Sequence, residues 1–144
     1  MTAEEEKALK LENQLCFPLY AAARKVVGLY SPFLKPLGIT YTQYLVFLVL
    51  WEQDNISVNE LGKKLLLDNG TLTPLLKKMQ AENYITRTRS SEDERVVVIA
   101  LTEKGREMKE KCSSIPHSVG SCIRLERGQA ELLYKTLYHL LEIT

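Results

Sequence analysis

From Leu9 to Leu29 the apolar positions return every three or four residues (Leu11, Leu15, Leu19, Ala22, Val26, Leu29), the period of an amphipathic helix. Pro18 falls inside this run. A proline lacks a backbone donor and presses on the carbonyl four residues back, so the pattern predicts a bend just after Cys16. "SPFLKPLG" then divides the chain into short turns. The next run, "YTQYLVFLVLWEQ", is apolar on nearly every side, and Thr40 with Gln43 three residues on forms a capping box at its start. This helix is predicted to be the core.

A second capping box, Ser57 with Glu60, opens a very short helix ("LGKKLLL"). "DNG" supplies turn or cap residues, and "TLTPLLKKMQAEN" reads as a further helix. Its start is placed at about residue 69 to 71, because Pro74 is tolerated only near a first turn. "YITRTR" and "VVVIALT" are β-branched runs on either side of the polar "SSEDER", the pattern of a hairpin. Thr102 caps "EKGREMKEKC", which is expected to break near Pro116. Leu133, Leu137 and Leu141 stay in register in a last helix beginning at about residue 129.

Composition narrows what this string of helices can be. At 144 residues the chain suits one domain, and a domain of this size buries roughly 68 to 70% of the surface its unfolded chain exposes. Its 19 basic and 18 acidic side chains nearly cancel, so any nucleic-acid site has to be a local patch. The opening "MTAEEEKALK" has no leader character, and no run of about 18 apolar residues is present. A cytoplasmic location without membrane association is therefore expected. Cys16, Cys112 and Cys122 are odd in number and lack CxxC or Cys/His spacing, which argues against a disulfide framework and against zinc. His117 and His139 are isolated, and neither a metal nor a cofactor is expected.

Two short helices joined by a tight turn and followed at once by a charged hairpin make a winged helix-turn-helix. The fold class is thus mainly α with a small β-hairpin, in one domain over residues 1–144 with about 40–102 as the DNA-binding part. Asn69, Thr71, Thr73, Lys77 and Lys78 are the donor, acceptor and cation types that a recognition helix brings to base edges and phosphates. Arg87 and Arg89 on one strand and Arg95 at the tip suit flanking phosphates and a narrow minor groove. On composition alone, a solvated helix face beside an exposed turn competes with this reading.

The stretch "DERVVVIALTEKG", Asp93 to Gly105, resembles the wing signature of MarR-family transcription regulators: Asp-x-Arg, five residues, then Leu-Thr. With "LENQLCF", "ITYTQYLVFLVLWE" and "GTLTPLLKKM", the chain is similar almost end to end to the organic hydroperoxide resistance branch of that family. The resemblance implies a homodimer joined through its N- and C-terminal helices, here about 5–36 and 103–144. It also implies that two winged domains read the half-sites of a pseudo-palindromic operator in double-stranded DNA. Asp93 would hold Arg95 for the minor groove, and the helix from near Asn69 would enter the major groove.

The same resemblance bears on Cys16, which on its own is as well explained as a small buried hydrophobe. In "NQLCF" it falls at the branch's sensing cysteine, with Tyr30 and Tyr41 implied as phenolic donors to the sulfur across the dimer interface. Tyr20, one turn after Cys16, lies on the same helix face. A hydroxyl that donates to a thiolate stabilises the nucleophilic form. Apolar neighbours Leu15, Phe17, Leu19, Phe47 and Trp51 are expected to favour an organic hydroperoxide by burying its tail. The resulting sulfenic acid condenses with a second thiol. Cys122 is preferred for that role by resemblance to two-cysteine members, and Cys112 in "KEKC" is the other candidate.

Three functions remain in view: a repressor released by oxidation of Cys16, a MarR-type regulator of another oxidant or a phenolic ligand, and a thiol peroxidase. The charged wing has no use in the last, so a regulator rather than an enzyme is expected.

Overall fold

The computed structural model describes residues 1–143. Its core is built around α4 (Tyr41–Glu52), which buries Tyr44, Val46, Phe47 and Leu50 and, as the patterning predicts, sits at the centre. Against it pack α5 (Val58–Leu65) and α6 (Asn69–Ala81), the two helices of the helix-turn-helix, through Leu61, Leu72, Leu76 and Met79, all fully buried. Both expected capping boxes are formed, Thr40 with Gln43 and Ser57 with Glu60. Between α5 and α6 the chain turns through Leu66 at φ 55°, and the Leu67 carbonyl comes so close to Gly62 that a Cβ there would meet it at 2.8 Å. The glycine is what permits a turn this tight.

The wing is the hairpin of β2 (Ile85–Arg89) and β3 (Val97–Leu101), paired Ile85 with Leu101 through Arg89 with Val97. The structure adds a strand that the patterning missed. Ile56 and Ser57 form β1, antiparallel to β3, giving a three-stranded sheet in the order β1-β3-β2. Two residues carry no alternation to read, and the strand exists because the core positions them beside Val98 and Ile99. Beyond the wing run α7 (Glu103–Lys111), capped by Thr102, and α8 (Ile115–Cys122), which restarts at Pro116 as expected. The Trp51 indole donates to the Gly105 carbonyl at 3.0 Å, and Asp54 accepts from the Leu101 N–H at 2.9 Å. These bonds tie the end of α4 to the wing's base and to α7.

The N-terminal region departs from expectation. Instead of one bent helix over Leu9–Leu29 there are α1 (Ala3–Ala8), a single 3-10 turn at Leu11–Asn13, and α2 (Cys16–Gly28). Pro18 is the third residue of α2, where a backbone N–H has no helical partner to lose, so it starts the helix rather than bending it. Cys16 is therefore the first helical residue. α3 (Ser31–Leu34) and a turn ending at Gly38, φ 71°, lead into α4. The last helix, α9 (Arg127–Ile143), starts two residues earlier than expected. Pro74 lies sixth in α6, past the first turn; the carbonyl it leaves without a helical donor belongs to the exposed Gly70.

Neither α1, α2 nor α9 buries a single residue. The apolar positions of α2 and α9, among them Phe17, Leu133 and Tyr134, face outward, as does Leu15 (85% exposed) just before α2. No single helix among the described residues is long and apolar enough to cross a membrane.

Candidate functional site

The first residues of α5 and α6 and the inner face of the wing enclose a groove of about 180 Å³, lined by Asn59, Asn69, Thr73, Arg87, Arg95 and Val97 among others. Strand pairing explains how Arg87 reaches it. Arg87 pairs with the fully buried Ile99 and shares a face with Ile85, so its stem runs inward between sheet and helices. Its Nε is buried there without a hydrogen-bond partner. A buried, unpaired guanidinium N–H is costly unless a ligand atom completes it, and anions are the natural complement.

The other predicted contacts divide into free and occupied groups. Lys77 and Lys78 are exposed and free on α6, and Thr71 is exposed there with its hydroxyl turned to the Asp68 cap. Thr73 spends its hydroxyl on the Asn69 carbonyl at 2.7 Å, and the Asn69 amide donates to Asn59 Oδ1 at 3.1 Å. Asn59, which the residue pattern had not singled out, thereby couples α5 to the start of α6. Arg89 folds back to the Glu94 carbonyl at 2.7 Å and so braces the wing tip. Asp68, not Asn69, caps α6: its carboxylate accepts the Thr71 N–H at 2.7 Å. That bond, with further help from the Thr71 hydroxyl, holds the Asp68 carboxyl below the usual carboxylate range.

At the wing tip Asp93 and Arg95 form an ion pair, Nε to Oδ1 3.1 Å, with the arginine side chain 91% exposed. The guanidinium, and then the Arg95 backbone N–H, lower the Asp93 pKa, while Asp93 raises that of Arg95.

The thiol site is split between two places. Cys16 is exposed at the start of α2, and Tyr20 beside it is exposed with Arg24 over its ring at 5.3 Å. Tyr30 and Tyr41 meet beyond the other end of α2, ring centroids 4.7 Å apart, with Tyr44 5.8 Å from Tyr30. A helix rises 1.5 Å per residue, so Cys16 and Tyr30 of one chain stand about 20 Å apart. The predicted cluster is thus not formed within one chain. The two tyrosines instead flank an open cleft of about 320 Å³ between the end of α2 and the start of α4. Burial, then Tyr30, raises the Tyr41 pKa, and burial pushes Tyr44 up to about 12, so both phenols keep their protons as donors.

One of the apolar residues expected around Cys16 lies elsewhere. Phe47 is fully buried in the core, stacked on Trp51 at 5.2 Å, and offers no face to a peroxide tail. Leu15, Phe17 and Leu19 remain exposed near the cysteine. Of the other thiols, Cys112 is 2% exposed and its pKa is raised by burial, whereas Cys122 is exposed at the end of α8. Among the described residues no cluster of His, Cys, Asp or Glu has the arrangement to hold a metal ion.

Residues 28–112 match the family described as Transcriptional regulator SarA/Rot. Over 134 residues the chain is 48% identical to the organic hydroperoxide resistance transcriptional regulator of Bacillus subtilis, covering 93% of this chain and 91% of that one. The chain belongs to the MarR and SarA type of winged-helix transcription regulators. Within that family it is similar to AbfR, a protein of Staphylococcus epidermidis. Reduced AbfR bound to DNA superposes with a TM-score of 0.75 at 35% identity, over 96% of this chain and 99% of that one. Disulfide-formed AbfR matches with a TM-score of 0.65 at 35% identity, over 98% of this chain and 99% of that one. Escherichia coli MarR shares the fold alone, at 23% identity and a TM-score of 0.80, over 88% of this chain and 93% of that one.

Proposed function

We propose that this family member is a homodimeric repressor that binds an operator in double-stranded DNA and is released when an organic hydroperoxide oxidises Cys16. One observation carries the reading: an exposed thiol begins a helix with no buried residue, while the hydroxyls suited to serve it lie about 20 Å away on the same chain. A second copy resolves the separation. Its α2 brings Cys16 to the Tyr30 and Tyr41 cleft of the first, and the outward apolar residues of α2 and α9 become the interface.

In this dimer α6 enters the major groove with Thr71, Lys77 and Lys78, and the α5 to wing groove seats backbone phosphate against Arg87. Arg95, held by Asp93, reaches the minor groove. The Cys16 thiolate attacks the distal peroxide oxygen; the O–O bond breaks, the alkoxide takes a proton and leaves as alcohol, and the sulfur becomes a sulfenic acid. Condensation with the Cys122 thiol of the other copy then forms S–S and releases water. The similarity to a relative named for organic hydroperoxide resistance supports the choice of oxidant.

The test is a gel shift of reduced and cumene hydroperoxide-treated protein on the DNA upstream of its own gene, with Cys16→Ser alongside. Wild type is expected to bind when reduced and dissociate when treated; the serine variant binds in both states. Release of Cys16→Ser by peroxide would transfer sensing elsewhere, and steady consumption of peroxide with a thiol reductant would favour a peroxidase.

A further inference from the structure

Capping boxes open α1, α4 and α5, and two of these use glutamate as the returning residue, Glu5 and Glu60. The third, at the start of α4, uses Gln43. Gln43 is 1% exposed and is the one buried polar side chain among the described residues. Its two ends do different work. Oε1 accepts the Thr40 N–H at 2.9 Å, closing the box, and Nε2 donates to Glu82 Oε2 at 2.7 Å. A glutamate at 43 could close the box but would face Glu82 with a second carboxylate and no donor.

Glu82 is the C-cap of α6: its N–H bonds back to the Lys78 and Gln80 carbonyls, so the side chain is fixed to the last turn of the recognition helix. Its carbonyl is held in turn by Lys104 Nζ at 2.8 Å, and Lys104 lies 4.3 Å over the ring of Tyr84. At the other end of the contact, Tyr41 is the first residue of α4 and packs on Tyr30 at the mouth of the cleft. One helix start therefore carries both a cleft tyrosine and a buried amide that bonds to the end of the recognition helix.

We infer that Gln43 is a positioning residue that links the redox cleft to DNA binding, transmitting displacement of the start of α4 to the C-terminal end of α6 through Glu82. The inference rests on the reading of Cys16 as the sensor that acts through Tyr41. A short amide–carboxylate bond whose amide end is buried suits this role because it is directional: a shift of α4 must either carry Glu82 with it or leave a buried amide unpaired, and the latter is costly.

The experiment measures the affinity of full-length protein for its own upstream DNA by fluorescence anisotropy, reduced and after cumene hydroperoxide, in wild type, Cys16→Ser, Gln43→Met, Glu82→Ala and Glu82→Gln. Methionine keeps an unbranched shape of similar volume without the amide. Reduced Gln43→Met and Glu82→Ala are expected to bind DNA within about threefold of wild type, while the loss of affinity on oxidation shrinks by roughly tenfold or more, a typical size for coupling between sites. Glu82→Gln retains an acceptor and is expected to respond like wild type. A purely structural bond would lower both affinities alike and leave their ratio untouched, and that result, or an unchanged ratio in Glu82→Ala, overturns the link. Glu82 is only half-buried, so Glu82→Ala decides the matter even if Gln43→Met fails to fold. If wild type and Cys16→Ser respond identically, the sensor reading falls first and the link with it.

Discussion

The Asp93 carboxylate grips Arg95 at three points: Oδ1 accepts from the Arg95 backbone N–H at 3.0 Å and from Nε at 3.1 Å, and Oδ2 accepts from Nη2 at 3.1 Å. An ion pair this exposed adds little to stability. What it does is hold a long, flexible cation in one direction at the wing tip, which lowers the ordering cost of placing it against DNA.

Arg95→Ala is accordingly expected to leave thermal unfolding unchanged and to weaken operator binding by roughly ten- to a hundredfold. Asp93→Ala keeps the cation and loses only its orientation, so its loss should be several-fold at most. Titration of both variants against labelled operator checks the order. Equal losses for the two would mean that Asp93 contributes something other than orientation.

Tyr30→Phe and Tyr41→Phe each remove one hydroxyl beside the cleft and keep the tilted ring contact that holds the start of α4. Reduced DNA binding is expected to persist. Each lost donor to a charged sulfur should slow peroxide-driven release by roughly ten- to a hundredfold. Stopped-flow anisotropy after mixing with cumene hydroperoxide measures the rate, and an unchanged rate in both variants would remove the tyrosines from the mechanism.

Acid should act on the recognition helix through its cap. The Asp68 pKa is lowered in the folded protein, chiefly by the Thr71 N–H, from an ordinary 3.8. A carboxyl with a depressed folded pKa contributes stability that is present above the unfolded value and disappears as pH falls through the folded one. The contribution is thus complete at neutral pH and begins to fail only below about pH 4. Asparagine caps as well as aspartate but does not titrate in this range. Thermal unfolding followed between pH 7 and pH 2.5 should therefore fall less steeply below pH 4 in Asp68→Asn than in wild type.

Much of this architecture is legible in the sequence because local and global signals agree. The apolar run of α4, the capping boxes at Thr40 and Ser57 and the polar interval between two β-branched runs each specify one element unambiguously. The thiol site was legible only by resemblance. Its proposed parts sit at opposite ends of α2, and no periodicity within one chain could encode the meeting between two copies that the proposal requires. Pro18 is ambiguous in the sequence because the same residue breaks a helix interior and tolerates a first turn; which it does depends on whether the chain before it continues the helix. Gln43 drew notice as a cap, but its second bond spans 39 residues of sequence and is visible only in the fold.

The three thiols differ in what oxidation can reach. Cys112 is 2% exposed in the core, with burial raising its pKa, so it offers neither access nor a thiolate. Cys16 and Cys122 are both exposed, at the first residue of α2 and the last of α8. A lone sulfenic acid adds one oxygen to Cys16, whereas a disulfide requires the two α-carbons to approach within roughly 4.4 to 6.8 Å. In the proposed dimer, bonding between copies would pull the start of α2 against the end of the partner's α8 and would rotate the winged domains attached to these helices. Two half-sites one helical turn apart, about 34 to 36 Å, are then no longer matched. Non-reducing gel electrophoresis after cumene hydroperoxide reads the bond directly. Wild type and Cys112→Ser are expected to run as covalent dimers that dithiothreitol reverses, and Cys122→Ser and Cys16→Ser as monomers. A dimer that persists in Cys122→Ser but vanishes in Cys112→Ser would require the core around Tyr44 and Tyr84 to open on oxidation. No covalent dimer in any variant, with peroxide still releasing wild type from DNA, would make Cys16 a sensor resolved by a small-molecule thiol.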